Sequence, residues 1–200
     1  MALLQIVTDD HPSLRKQAHK IKQFDGALKK LAQDMFETMR AANGIGLAGN
    51  QIDKLIRLIV VELTPDPEED APGSQAVRMA LCNPEIIDGK GRVMGTEACL
   101  SLPGWVGEVP RHEHVVVKAQ TLEGKQTRVK ADGMFARVLQ HEVDHLNGVL
   151  FTDRVEDLST LQKLPPPEAD DAGEVAPADE VHTDDGQIAV AGAPPGAPGV

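Results

Sequence analysis

Residues 141–145 read His-Glu-Val-Asp-His, a pattern whose residue types and spacing suit a metal site. On an α-helix, side chains four residues apart lie on the same face, so His141 and His145 could bind one metal ion. Glu142 would stand beside that ion and could take a proton from a bound water. Two histidines at this spacing also occur as ordinary, partly exposed helix residues, and the metal site would need a third ligand from elsewhere. The pattern alone leaves both interpretations open.

The residues around this pattern predict the helix that it requires. Apolar residues recur at helical spacing after residue 133, and one stripe combines them with the two histidines. That stripe holds Met134, Val138, His141 and His145. Asp132 could cap the start of the helix by accepting from a backbone N–H, and Asn147–Gly148 would end it.

The two cysteines have different sequence surroundings. Cys82 ends an alternating strand pattern, and an inert buried thiol is the default in such an apolar setting. Cys99 lies where a predicted strand runs into a turn at Pro103–Gly104, which could present its thiolate. One Cys with two His is a soft ligand set that leaves a coordination position open for water, as catalytic sites require. A disulfide between the cysteines is the weaker interpretation, because no export signal is recognised.

A glycine-rich stretch occupies residues 44–51 and follows a helix predicted over residues 25–43. Three glycines in six residues permit a close approach of the backbone to another group. A phosphate-binding loop is excluded, because the stretch follows a helix and no Lys-Ser or Lys-Thr pair comes after its last glycine. Gln51 ends the stretch and offers an uncharged N–H donor. The alternative is a plain turn from helix to strand.

Alternating apolar residues predict several strands between this stretch and the helix of the metal pattern. They are expected at residues 56–63, 77–82 and about 85–88, and as a hairpin of residues 115–122 and 125–131. Asn83–Pro84 is expected to break the sheet, residues 90–96 could continue it, and residues 158–164 could add a short helix. The histidines outside the metal pattern are interpreted as solvated: His11, His19, His112, His114 and His182.

Length and charge predict one domain, residues 1–164, followed by an acidic tail. The formal net charge is −11, but residues 165–200 hold eight acidic and no basic residues, which leaves −3 on the rest. The tail is rich in Pro, Ala and Gly and cannot bury enough apolar surface to offset its ordering entropy, so disorder is expected.

No stretch is apolar enough to span a bilayer and no basic cluster indicates a nucleic-acid groove. The first residues lack signal-peptide features, which favours the cytoplasm.

Three segments occur in a fixed order, namely G-I-G-L-A-G-N-Q at 44–51, E-A-C-L-S at 97–101 and Q-H-E-V-D-H-L-N-G at 140–148. Together they resemble the motifs of the peptide deformylases, and the likeness extends over about residues 5–155. The resemblance implies an α+β fold in which a mostly antiparallel β-sheet wraps around a central helix carrying the metal motif. It also implies a hydrolase of protein biosynthesis that removes the N-formyl group from the N-terminal methionine of new polypeptides.

Carried over by position, the resemblance implies three metal ligands and one acid–base residue. They are Cys99, His141, His145 and Glu142. The metal would turn a bound water into hydroxide for attack on the formyl carbonyl, while Glu142 takes the proton and returns it to the leaving amine. Gln51 and the backbone N–H of Leu100 would hold the formyl oxygen, on which charge develops.

The resemblance also implies a peptide-binding surface and a cofactor. Gly46 would pair its backbone with the substrate, and the walls of an apolar methionine pocket are expected from Ile45, Met134 and Val138. One divalent ion per chain is expected, Fe²⁺ in the cell, with Zn²⁺, Ni²⁺ or Co²⁺ as alternatives. The expected partners are N-formylmethionyl nascent peptides and the ribosome near its exit tunnel.

The sequence departs from the family pattern at two positions. Ala98 replaces the usual Gly before the cysteine and would strain that loop if its φ were positive. Gly49 replaces the usual Ala and would loosen the segment that holds Gln51.

These changes favour one alternative, a catalytically impaired binding protein with the same fold. A second alternative, a zinc peptidase of another family, would need a ligand after the helix, where Glu156 is the near candidate. Because every residue that does chemistry is present, an active deformylase is the favoured hypothesis.

Overall fold

The computed structural model describes residues 3–64 and 76–165, and these contain two α-helices and eight β-strands. The helices are α1 (Gly26–Ala41) and α2 (Gly133–Leu146). The strands are β1 (Gly46–Ala48), β2 (Leu58–Leu63), β3 (Val77–Lys90), β4 (Val93–Cys99), β5 (Leu102–Arg111), β6 (His114–Gln120), β7 (Gln126–Asp132) and β8 (Gln162–Lys163). The predicted disordered tail lies, apart from Pro165, outside the described residues. No helix of the described ranges is long and apolar enough to cross a membrane.

Helix α1 begins at a side-chain cap and covers one face of a sheet. Asp25 accepts a hydrogen bond of 3.0 Å from the backbone N–H of Leu28, which satisfies a donor that the first helical turn leaves free. The buried stripe of α1 contains Leu28, Ala32, Met35, Phe36 and Met39. It packs against Leu58, Val60 and Cys82 of the sheet. The helix predicted over residues 25–43 is confirmed.

The larger sheet has the order β1-β2-β3-β6-β7, and every neighbouring pair is antiparallel. Strand β2 is buried on both faces, because its side chains alternate between the two helices. Leu58 and Val60 belong to the core with α1, whereas Ile59 and Val61 belong to the core with α2. The prediction of a strand buried on both sides is therefore confirmed.

The smaller sheet has the order β4-β5-β8 and covers the other side of α2. Arg137 and Asp144 of α2 bond to groups of β4 and β5. The chain turns at residues 100–101, and the pairing of β4 with β5 shifts at Cys99. The predicted turn at Pro103–Gly104 is wrong, because both residues lie within β5. Helix α2 thus lies between two antiparallel sheets, which confirms the expected α+β fold around a central helix.

Three further local predictions are wrong for identifiable reasons. Asn83–Pro84 does not end β3, because the strand passes through them as a bulge in which Asn83 adopts φ 52° and its amide bonds both Ile21 N and Ile21 O. Asp132 makes no cap for α2, since its carboxylate bonds the His114 ring at 2.6 Å. Residues 158–164 form a single 3₁₀ turn followed by β8.

Candidate active site

The end of β4 and one face of α2 bring together three side chains that could hold a metal ion. His145 Nε2 lies 3.2 Å from Cys99 Sγ and 3.2 Å from His141 Nε2, and the three ligand atoms lie within 4.8 Å of one another. Tetrahedral bonds to nitrogen of about 2.0–2.1 Å and to sulfur of about 2.3 Å place neighbouring ligand atoms about 3.3–3.6 Å apart. The three predicted ligands are therefore spaced so that they could hold one divalent ion.

The orientation of the His141 ring is determined by Glu97. Glu97 Oε2 lies 2.9 Å from His141 Nδ1, and an ionised carboxylate can only accept, so Nδ1 carries the hydrogen and Nε2 points to the ligand cluster. Burial would raise the pKa of Glu97, but hydrogen bonds from Arg111 and His141 outweigh it and lower this pKa to about 2. Glu97 opens the E-A-C-L-S motif, which was the available signal, but no role was predicted for it from the sequence.

The pKa values of the two candidate ligand histidines are shifted in opposite directions. Burial lowers the pKa of His145 well below its usual value, which leaves a neutral ring suited to ligate a metal. Burial also acts to lower the pKa of His141, but hydrogen bonds to Cys99 and Glu97 outweigh it and raise this pKa to about 10. A proton therefore competes with a metal ion for His141 Nε2.

Glu142 follows His141 on α2 and directs its carboxylate into the same site. The residue is 3% exposed, and Oε2 is buried without a hydrogen-bond partner among the described residues. Burial raises the pKa of Glu142 to about 7. A buried carboxylate oxygen without a partner costs free energy unless a water or ligand satisfies it. Glu142 is thus placed to bond a small polar molecule beside the ligand cluster.

A cavity of about 460 Å³ opens next to these side chains. Besides Cys99, His141 and Glu142, its lining includes the predicted residues Ile45, Gly46, Gln51, Leu100, Met134 and Val138. Met134 is 58% exposed and Ile45 is 45% exposed, whereas Val138 is buried. The predicted site residues other than buried His145 therefore share one cavity, with apolar side chains along it. Its size suits a few residues of a peptide or a small ligand.

Gln51 is held by hydrogen bonds beside the three candidate ligands. It lies in a 3₁₀ turn, Gly49–Ile52, and is 1% exposed. Its Oε1 accepts a 2.8 Å hydrogen bond from Ala48 N, which fixes the amide so that Nε2 faces the site. Nε2 lies 3.6 Å from Cys99 Sγ and 3.3 Å from Ser101 Oγ. The glycine-rich stretch therefore positions a donor beside the ligand cluster and is more than a connecting turn.

The two departures from the family pattern have different structural outcomes. Ala98 does not have a positive φ, so the condition under which strain was expected at this position is not met. Its side chain is exposed and lines the cavity. At Gly49, an added Cβ would lie 2.5 Å from Ile56 O and 2.7 Å from Lys54 O. An alanine at this position would therefore require the backbone to shift, and Gly49 is tightly packed, although the sequence suggested that it would loosen the segment.

The remaining cysteine and the other described histidines lie outside the ligand cluster. Cys82 is fully buried, and burial raises the pKa of its thiol to about 11, which agrees with the predicted inert thiol. His19, His112 and His114 are exposed, as predicted. His11 is half-buried, and its Nδ1 bonds Ser13 Oγ at 2.8 Å, so it is less solvated than expected. His182 lies outside the described residues.

Comparisons with known proteins decide the family. The model of the polypeptide deformylase family matches residues 3–160. The chain belongs to this family. A curated peptide deformylase of Thermomicrobium roseum is 51% identical over 172 residues, which cover 86% of this chain and 97% of the relative. A second curated peptide deformylase, of Chloroflexus aggregans, is 47% identical over 163 residues, covering 78% of this chain and 87% of that protein.

Solved peptide deformylases share the fold. The structure from Legionella pneumophila has a TM-score of 0.69 and 38% identity. The match covers 80% of this chain and 89% of the Legionella chain. A class I type b peptide deformylase from Acinetobacter baumannii, with Met-Ala-Ser bound, has a TM-score of 0.70 and 38% identity. The match covers 77% of this chain and 99% of that chain. Peptide deformylases are metal-dependent hydrolases that remove the N-formyl group from polypeptides, and this chain is an enzyme of that family. The alternative of a zinc peptidase from another family is therefore wrong.

Proposed function

We propose that this chain deformylates N-formylmethionyl peptides with Cys99, His141 and His145 as metal ligands and Glu142 as the proton carrier. The observation that carries the proposal is the convergence of the three ligand atoms within 4.8 Å beside a buried, unpartnered Glu142 oxygen. A divalent ion bound there would act as a Lewis acid and lower the pKa of a water toward neutrality. His141 is kept in the correct orientation for this role by Glu97.

In the proposed reaction, Glu142 moves one proton twice. Its Oε2 takes the proton released when water attacks the formyl carbon, and then delivers it to the amine nitrogen as the C–N bond breaks. The products are formate and a free N-terminal methionine. Burial of Glu142 excludes bulk water from this carboxylate, so the proton passes between positioned groups.

The proposed oxyanion donors are Gln51 Nε2 and the backbone N–H of Leu100. The fixed amide of Gln51 supports this role, because its orientation is set before the substrate binds. Charge develops on the formyl oxygen only in the transition state, so these two donors stabilise that state more than the bound substrate. Loss of one such donor typically lowers the rate by about 10²–10³-fold.

The cavity walls suggest how the peptide is bound. Ile45, Met134 and Val138 would contact the methionine side chain, and Gly46 would pair its backbone with the peptide. The Acinetobacter baumannii relative was solved with Met-Ala-Ser, a peptide that begins with methionine. Such a peptide is the reaction product expected if this chain acts on the corresponding formyl peptide.

The identity of the metal, the cellular site and the association with ribosomes are part of the same proposal. A Cys-His-His set binds Fe²⁺, Zn²⁺, Ni²⁺ or Co²⁺, and we propose Fe²⁺ in the cell. Nascent chains emerge from ribosomes in the cytoplasm, so we place the enzyme there, near the exit tunnel. Elemental analysis of anaerobically purified protein tests the metal, and co-sedimentation with ribosomes at physiological salt tests the association.

One assay tests the function. Anaerobically purified protein is analysed for metal and assayed for amine release from formyl-Met-Ala-Ser, with the acetyl peptide as the control substrate. Glu142→Ala is expected to keep its metal and to lose deformylation, because the proton carrier is removed and the ligands remain. If the wild type binds metal and releases no amine from any formyl peptide, the catalytically impaired alternative is correct.

The cysteines provide a matched pair of variants for the ligand assignment. Cys99→Ser is expected to lose metal, because a hydroxyl is a poor ligand for a borderline-soft ion. Cys82→Ser changes the same atoms at a buried position outside the cluster and is expected to retain the metal. Equal loss of metal in both variants contradicts the ligand set.

A further inference from the structure

Beyond the metal ligands lies a set of buried charged side chains, here called the ionic network. Its members are Glu97, Arg111, Arg137, Asp144 and Arg154. The first four are 6–7% exposed, whereas the side chain of Arg154 is 49% exposed. Charged residues are seldom buried so fully unless they are paired. The network therefore runs from the metal site to the protein surface.

The contacts of the network form one continuous path from His141. Glu97 Oε2 bonds His141 Nδ1 at 2.9 Å, and the same carboxylate accepts from Arg111 Nε at 2.8 Å and Arg111 Nη2 at 2.9 Å. Arg111 Nη1 donates to Asp144 Oδ2 at 2.5 Å. Asp144 also accepts from Arg154 Nη2 at 2.7 Å and Arg154 Nε at 3.1 Å. Each link is a charge-assisted hydrogen bond.

The outer half of this path determines the geometry of the inner half. The guanidinium of Arg111 is planar, so fixing Nη1 on Asp144 also fixes the two nitrogens that grip Glu97. Asp144 is in turn held by the two nitrogens of Arg154. Glu97 can orient His141 only while its own carboxylate is held in place. Partners of metal-ligating histidines commonly set metal affinity in this way.

We propose that Asp144 and Arg154 are positioning residues that set how tightly the site holds its metal, acting through Arg111 and Glu97 on His141. Neither residue is a metal ligand in the proposed function, on whose ligand set this inference rests. The path therefore ends at Arg154, which lines a surface cleft and is not among the residues that line the candidate cavity.

An electrostatic role and a positioning role of Arg154 predict opposite effects of Arg154→Gln on metal affinity. Arg154→Gln removes a positive charge, so a purely electrostatic influence would strengthen the binding of a divalent cation. If Arg154 acts by positioning, the same substitution frees Asp144 and Arg111 and weakens the binding. Asp144→Asn weakens binding under both explanations, because it adds net positive charge and also releases Arg111. Arg154→Gln is therefore the deciding variant.

Arg92 provides a control with the same change of charge. It is an exposed arginine whose Nη2 bonds Glu156 Oε1 at 2.6 Å, and within the described residues no bond joins it to the network. Arg92 and Arg154 line the same surface cleft. Arg92→Gln thus removes a positive charge nearby without releasing any contact of the path.

The experiment measures how fast Zn²⁺ leaves each loaded full-length variant for an excess of a coloured chelator, at one pH and ionic strength. Asp144→Asn is expected to release zinc about 10–100-fold faster than the wild type, and Arg154→Gln about 3–10-fold faster. Arg92→Gln is expected to release it no faster than the wild type. Arg154→Lys, which keeps the charge but not the two-nitrogen grip, is expected to fall between wild type and Arg154→Gln.

The outcomes separate the two proposals. A wild type that binds no zinc contradicts the ligand set of the proposed function. A wild type that binds zinc, with Arg154→Gln releasing it as slowly as Arg92→Gln, contradicts the positioning role alone. Melting of the metal-free variants checks the fold. If Asp144→Asn does not fold, the comparison of Arg154→Gln with Arg92→Gln still decides.

Discussion

At the scale of single residues, Gly46 and Glu142 illustrate how closely the site is packed. A Cβ added to Gly46 would lie 2.3 Å from Glu142 Oε1 and 2.8 Å from its Cδ. Glu142 is 3% exposed, so its carboxylate has little room to retreat. The glycine therefore keeps the backbone of β1 against the proposed proton carrier, and any side chain at this position would move that carboxylate.

Gly46→Ala is expected to lower kcat/KM by about 100-fold with the metal retained, because a displacement of a catalytic group by about 1 Å costs about that much. The ligands lie on other elements and are left in place. Gly26→Ala is the matched control, since an added Cβ there meets nothing within 4 Å. Deformylase kinetics and metal analysis check the prediction, and full activity of Gly46→Ala would contradict the proposed position of the proton carrier.

Gly49→Ala introduces the residue that is usual in the family and is nevertheless expected to destabilise this chain. The new methyl would meet the backbone oxygens of Ile56 and Lys54 at 2.5 and 2.7 Å, and backbone atoms cannot move aside as flexible side chains can. Overpacking of this kind costs about 1–3 kcal/mol. Urea denaturation of the variant measures the loss. Unchanged stability would mean that the Gly49–Ile52 turn shifts freely, in which case Gln51 is not held as described.

The residues of the site were predictable from the sequence to unequal degrees. The H-E-V-D-H spacing and the soft Cys-His-His set made a metal site a candidate, and the resemblance of three ordered motifs implied the ligand set. Glu97 opens the E-A-C-L-S motif, but its role and those of Arg111 and Arg137 were not predicted, because a charged residue in a strand or helix pattern is ordinarily exposed. Their burial results from mutual pairing between segments distant in sequence, which no local pattern reveals.

At the scale of secondary structure elements, Arg137 joins α2 to the smaller sheet. Its Nη1 donates to Val109 O at 2.9 Å and to Glu97 Oε1 at 2.8 Å, and its Nη2 donates to Val93 O at 3.0 Å. A Cβ on Gly95 would lie 2.8 Å from Nη2, so the glycine makes room for the guanidinium. One side chain thus aligns the strand that carries Cys99 with the helix that carries the histidines.

Arg137→Met is expected to destabilise the fold by about 3–5 kcal/mol, because removing one partner of a buried ion pair leaves unpaired groups inside the protein. Arg92→Met is the control, since the Arg92–Glu156 pair is exposed and contributes about 0–1 kcal/mol. Chemical denaturation of both variants tests the difference. Equal stability of the two would show that the bonds of Arg137 do not hold the sheet to the helix.

The strands were less predictable than the helices for a physical reason. Strand β5 was missed because Pro103–Gly104 suggested a turn, whereas its pairing with β4 continues on either side of them and Gly104 supplies a φ of 78° within the strand. Strand β3 continues through Asn83–Pro84 because side-chain bonds to Ile21 stabilise the bulge. Helices α1 and α2 depend mainly on their own periodicity, and both were predicted within a few residues of their observed ends.

At the scale of the whole molecule, the chain combines a family-like region with a strongly acidic C-terminal segment. The family match ends at residue 160, and the lining of the candidate cavity ends at Glu142. Residues 165–200 contain eight acidic and no basic residues. We propose that residues 1–164 are the catalytic domain and that the acidic segment is dispensable for the chemistry. The boundary falls directly after β8, which pairs with Trp105 and Val106 of β5.

Truncation at this boundary tests the proposal, and a second truncation inside the domain provides its contrast. A chain ending at Pro165 is expected to keep kcat/KM within about twofold of the full chain, because every proposed ligand and donor remains.

A chain ending at Leu161 also loses β8, the Leu164 N to Gly104 O bond of 2.8 Å and the Lys163 ammonium 5.7 Å from the Trp105 ring. That chain is expected to melt at a lower temperature, with Trp105, the one tryptophan of the sequence, shifting its fluorescence to the red as its ring is exposed to water. Loss of activity on truncation at Pro165, with an unchanged melting temperature and tryptophan spectrum, would instead assign the acidic segment a direct part in catalysis.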